Sequence, residues 1–119
     1  MIDYKLGVME SKFAELIWNH EPIPSGDLVK LCDNELGWKK STTYTMLRRL
    51  CQRKIFQNKD GIVSSILSKQ AFHALQSEMF VKETFDGSLP KFLAAFTMRK
   101  KLSAKEISEL QQIINRNRR

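Results

Sequence analysis

The sequence predicts a mostly α fold with one small β-hairpin: three short helices, the hairpin, then three more helices. Three observations predict it. Apolar residues recur at three- and four-residue steps through most of the chain, the spacing that lines one side of a helix. Residues 55–67 break that rhythm with β-branched runs around Asp60-Gly61, among the best hairpin turn signals. Pro22, Pro24, Gly37 and Asp86-Gly87 then punctuate the helical stretches.

Each element has its own warrant. The first helix, about 8 to 20, carries Met9, Phe13, Leu16 and Ile17 as its apolar stripe, with Trp18 beside it and Glu10, Lys12 and Glu15 facing water. It cannot continue through Pro22-Ile23-Pro24, where Ile23 is suited to a one-residue strand bridge. Ser25, with Asp27 two positions on, opens the second helix; Leu28, Val29, Leu31, Cys32 and Leu36 form its buried side and Gly37 its C-cap. The third helix lies in KKSTTYTMLRRLCQRK, residues 39–54, with Ser41 as its N-cap. Met46, Leu47, Leu50 and Cys51 line one face, while Ser41, Tyr44, Thr45, Arg48 and Gln52 line another. After it come Ile55–Asn58, a Lys59-Asp60-Gly61 turn and Ile62–Leu67.

Three helices and a hairpin in this order are a winged helix-turn-helix, in which the third helix enters the DNA major groove and the hairpin lies along the backbone. Charge supports that arrangement. Residues 10–36 hold six acids against two bases, whereas residues 39–54 hold six bases and no acid. The predicted contacts are Lys39, Lys40, Ser41, Thr42, Tyr44, Thr45, Arg48 and Arg49, joined by Lys59 in the wing. Ser41, Tyr44, Thr45 and Arg48 are placed for base edges, and Lys39, Lys40 and Arg49 for phosphates. Arg49 is also placed for a structural ion pair with the acidic first or second helix. The expected organisation is a winged-helix DNA-binding domain over 1–67 and a helical dimerisation domain over 68–119.

In the latter, Ser68 caps a helix through about Thr84, Asp86-Gly87-Ser88 breaks it, and Leu89, Phe92, Leu93 and Phe96 mark another that tolerates Pro90 in its first turn. Ser103-Ala104-Lys105-Glu106 is a capping box, with Leu102 and Ile107 placed as a hydrophobic staple. The last five residues, 115–119, are expected to fray. Phe72, Leu75, Met79, Phe92, Phe96, Ile107, Leu110 and Ile114 offer more apolar surface than three short helices hide among themselves, and a second copy of the chain is the simplest cover. Packing back onto the chain's own winged helix is the alternative.

At 119 residues the chain suits one domain, or one small domain with an appendage, and its net charge of +7 favours an anionic partner such as nucleic acid or a lipid surface. No apolar run approaches the roughly 20 residues that span a bilayer. MIDYKLGVMESKF lacks a basic region followed by an apolar one, so a cytoplasmic protein is expected. Cys32 and Cys51 form no CxxC pair and read as small buried hydrophobes. His20 and His73 have no ligand-spaced partner, and no phosphate loop, nucleophile elbow or HExxH is present. No enzyme, metal, cofactor or small-molecule ligand is therefore expected. A winged-helix protein–protein assembly module, its basic helix docking an acidic partner, is the second reading.

The chain from about Met9 to Asn115 resembles the BlaI/MecI/CopY family of bacterial repressors, the penicillinase-repressor type. The resemblance rests on Leu16-Ile17-Trp18, on Trp38 before the third helix, and on Thr42 with Thr45-x-Leu47-x-Arg49-Leu50 within it. Leu102-Ser103-x-x-Glu106-Ile107-x-x-Leu110 adds to it. It implies a homodimeric repressor of β-lactam-resistance or related genes, bound to a palindromic double-stranded operator. It also implies relief by cleavage in the C-terminal domain, initiated by a membrane-bound sensor metalloprotease. Those relatives are cut at an Asn-Phe bond, and the matching position here is Ala95-Phe96. Copper-responsive members carry a C-terminal cysteine cluster, which this chain lacks after Cys51. Tyr44 stands where penicillinase repressors usually have arginine, and the wing lacks the tyrosines common in the family's third strand.

Overall fold

A computed structural model describes residues 4–118, which form six helices and a three-stranded antiparallel sheet. The chain divides into two compact units, residues 1–77 and 78–119.

The first unit begins with helix α1 (Val8–His20), whose Phe13, Ala14 and Ile17 are fully buried while Met9 is exposed. The expected stripe is thus rotated toward Ala14, a residue too small to register as apolar patterning. Strand β1 (Ile23–Pro24) is two residues long and pairs antiparallel through Ile23 with Val63 and Pro24 with Ile62. Helix α2 (Ser25–Leu36) follows directly, Ser25 being its first residue rather than its cap. It ends at Gly37, whose φ of 66° is a left-handed cap that glycine reaches without steric cost.

Helix α3 (Lys40–Gln52) starts before Ser41: its N-cap is Lys39, whose carbonyl accepts from the Thr43 amide at 3.1 Å. Lys54, at φ 60°, turns the chain out of it. Strands β2 (Phe56–Lys59) and β3 (Ile62–Ser65) make the hairpin, with Lys59 opposite Ile62. Lys59 is therefore the last residue of its strand, and the turn is Asp60-Gly61 alone. Both turn residues have positive φ, 54° and 79°, as a two-residue hairpin of right-handed twist requires. Sheet order is β1-β3-β2. Glu21 secures its far end, accepting from the Ser65 amide at 2.8 Å and hydroxyl at 2.7 Å.

Helix α4 (Lys69–Phe85) begins in this unit, with the Ser68 hydroxyl accepting from the Ala71 amide. Phe72 closes the core over Trp18 and Phe56: ring centroids are 5.5 Å apart for Trp18–Phe72 and 5.2 Å for Trp18–Phe56. Trp18 satisfies its indole N–H on the Leu67 carbonyl. The segment before α1 packs here too, Tyr4 lying edge-on to Phe72 and its carbonyl accepting from Gln76.

In the second unit Asp86 and Gly87, both at positive φ, end α4. The Ser88 hydroxyl caps helix α5 (Leu89–Arg99), and Ser103 and Glu106 form the reciprocal capping box of helix α6 (Ala104–Arg116). Asn115 and Arg116 are helical, contrary to the expected fraying; Arg119 lies outside the described residues. Phe80, Phe85 and Phe92 meet edge-to-face at 5.5–5.9 Å, with Phe96 next to Phe92. No residue described in this unit is fully buried. No helix among the described residues is long and apolar enough to cross a membrane.

Candidate nucleic-acid interface

Helix α3 advances about 100° per residue, so the residues that seat it define which ones project. Thr43, Leu47 and Leu50 are buried and mark its inner face. The opposite face carries Ser41, Thr45, Arg48 and Gln52, all exposed, with Thr42 and Arg49 exposed beside them. Lys39 and Lys40 are exposed at its N-terminus and Lys59 at the end of β2. The helix contains no acidic residue. Its outward surface combines cations, hydroxyls and one amide, which is the chemistry that meets phosphates and base edges.

Local bonds qualify several of these groups. The Thr45 hydroxyl donates to the Ser41 carbonyl at 2.9 Å, so its hydrogen is engaged while its lone pairs can still accept. Among the described residues Arg49 reaches the Met46 sulfur, at 3.7 Å. The structural ion pair considered for Arg49 belongs instead to Arg53, which meets Glu10 of α1 at 3.5 Å. Arg49 is left exposed. Tyr44 lies on the flank between the inner and outer faces; it is half-buried, packs on the core, and donates its hydroxyl to Ser25 Oγ at 3.1 Å.

Thr43 belongs to the inner face although a polar residue inside an apolar stripe carries no periodic signal. It is 1% exposed, and its hydroxyl lies beside the buried Cys32 thiol. Burial pushes both thiols above their ordinary range; the Thr43 hydroxyl partly opposes this at Cys32, and a backbone bond from Asn58 does so at Cys51. A raised thiol is a poor nucleophile. The described residues contain no cluster of His, Cys, Asp and Glu able to hold a metal.

Among the residues assigned to a dimer interface, Phe72 is 1% exposed inside the first unit's core and is not available to a second chain. Leu75 is half-buried in that unit. In the second unit Phe96, Ile107 and Ile114 are 44%, 44% and 57% exposed, and Met79, Phe92 and Leu110 are half-buried. Phe92, Leu93, Phe96, Leu102, Leu110 and Ile113 line an apolar groove of about 280 Å³ between α5 and α6, rimmed by Glu106 and Glu109. Ala95 and Phe96 lie within α5.

The chain is 25% identical over 113 residues to the penicillinase repressor of Bacillus licheniformis, covering 92% of this chain and 88% of that protein. It is 22% identical over 117 residues to the methicillin resistance regulatory protein MecI of Staphylococcus aureus, and 21% identical to that of Mammaliicoccus sciuri; each match covers 95% of both chains. A model of the family described as penicillinase repressor matches residues 6–116, nearly the whole length, and the chain belongs to that family.

Proposed function

We propose that this chain is a sequence-specific, DNA-binding transcriptional repressor that acts as a homodimer on a palindromic operator. The observation that carries the reading is the division of α3: one side buried through Thr43, Leu47 and Leu50, the other exposed, cationic and free of acids. Ser41, Thr45 and Arg48 read base edges; Lys39, Lys40, Thr42, Arg49 and Lys59 hold the phosphate backbone. The exposed apolar surface of α5 and α6 pairs with its copy, so that each winged helix takes one half-site. Names of the relatives support control of β-lactam-resistance or related genes.

Relief of repression follows from cleavage at Ala95-Phe96, downstream of a membrane-bound sensor metalloprotease. That bond is inside a helix, with Phe96 accepting from the Lys100 amide, so α5 must unwind locally before a protease can hold it extended. Footprinting on the DNA upstream of the chain's own gene tests the reading, followed by titration of the protected duplex and a random duplex at one salt concentration. Preference for the protected duplex is expected. Equal affinity for both would overturn operator recognition and favour an assembly module.

A further inference from the structure

Tyr44 is one residue past the buried Thr43 and so lies about 100° from the core direction, on the side of α3 that faces the start of α2. Its ring is half-buried against the core. Its hydroxyl donates to Ser25 Oγ at 3.1 Å, and the Ser25 amide in turn donates to the Gly61 carbonyl at 2.8 Å. Gly61 is half of the two-residue wing turn, and the two residues before Ser25 are the strand that pairs with β3. One side chain of α3 thus connects the outward-facing helix, through a single serine, to the first turn of α2 and the tip of the wing.

We infer that Tyr44 is a positioning residue rather than a base-reading one: it locks α3, the start of α2 and the wing turn into the single geometry in which all three meet DNA. This rests on the DNA-binding reading above. Two features favour it over direct readout. The only hydrogen of the tyrosine hydroxyl is already given to Ser25, so reading a base acceptor would cost an existing bond. The ring cannot swing outward without giving up its core contacts. Fixing the geometry in the free protein means that ordering cost is not charged again at binding. Specific binding needs helix and wing in register together, whereas loose attachment to phosphates does not. The lock therefore favours discrimination over bulk affinity.

The test uses the full chain as wild type, Tyr44→Phe, Ser25→Ala and the double variant, on the footprinted duplex and on a random duplex of equal length. Exchange of the Ser25 amide is measured without DNA. Phenylalanine keeps the ring and its packing, so the variant retains the fold. Each single variant should bind the footprinted duplex roughly threefold to tenfold more weakly, the range a neutral hydrogen bond covers, with the random duplex and the salt slope unchanged. The double variant should be no worse than either single one, and Ser25 amide exchange should accelerate in Tyr44→Phe. Losses that multiply, or full affinity in Ser25→Ala, would overturn the proposal and return Tyr44 to direct contact with DNA. Wild type binding both duplexes alike, while amide exchange still accelerates, would instead remove the DNA-binding reading and leave the lock standing.

Discussion

At the scale of single residues, exposed cations on α3 divide by what they face. Arg48 projects opposite the buried stripe, and Lys40 sits at the first turn. Arg48→Ala should cost about 1–3 kcal/mol on the operator and little on random DNA. Lys40→Ala should weaken every sequence alike and lower the salt slope by about one unit; titrations on both duplexes at two salt concentrations check the pair. Phe72→Ala should instead destabilise the first unit by about 3–5 kcal/mol in denaturant melts, since it opens a cavity beneath Trp18. The two thiols make a pH prediction. Burial raises their folded values above the ordinary 9.0, so the stability they contribute is intact below about that pH and lost as pH rises through the raised values. Melting temperature should therefore be insensitive to these groups near neutrality and fall in alkali, less steeply in Cys32→Ala. Residues of this kind show where sequence was readable. The cationic face of α3 is visible because charge and period coincide there. Thr43 and Ala14 are not, because burial of a hydroxyl or a single methyl leaves no pattern. For Tyr44 the helical step gives a place near the outer face, and only the position of Ser25 shows the bond that its hydroxyl makes.

At the scale of elements, turns and caps were legible wherever the chemistry is local. Asp60-Gly61, Gly37, Ser68, Asp86-Gly87 and the Ser103–Glu106 box all act within a few residues of themselves, and each has the predicted role. The start of α3 leaves no such signal because its N-cap uses only backbone: no side chain of Lys39 caps the helix. Phe72 was misassigned for a longer-range reason. The stripe of α4 gives its apolar side, but not that its first turns cover Trp18 while its last turns belong to the second unit. The α6 cap carries its own prediction. Ser103→Ala should cost about 1 kcal/mol of local stability, read as faster amide exchange in the first turn of α6. The Glu106 carboxyl is held below its ordinary value by bonds from the Ser103 amide and hydroxyl. Its contribution is thus present above about pH 4.5 and lost as pH falls through the lowered value, so α6 should loosen in acid; Glu106→Gln should flatten that response.

At the scale of the whole molecule, the first unit has a core of twelve buried apolar residues, and the second has none among its described residues. Light scattering should find the full chain dimeric at micromolar concentration without DNA, and residues 1–77 alone monomeric. A charge placed on the apolar surface, as in Ile114→Glu, should shift the full chain toward monomer. In the proposed dimer, helices whose described side chains are all at least partly exposed gain their stability from association, so their folding follows mass action. The second unit's melting temperature should rise with protein concentration while that of the first unit stays fixed. Abundance and integrity are then linked: dilution alone, as when synthesis stops, would fray these helices and hand them to housekeeping proteases, giving the regulator a lifetime set by its own dose.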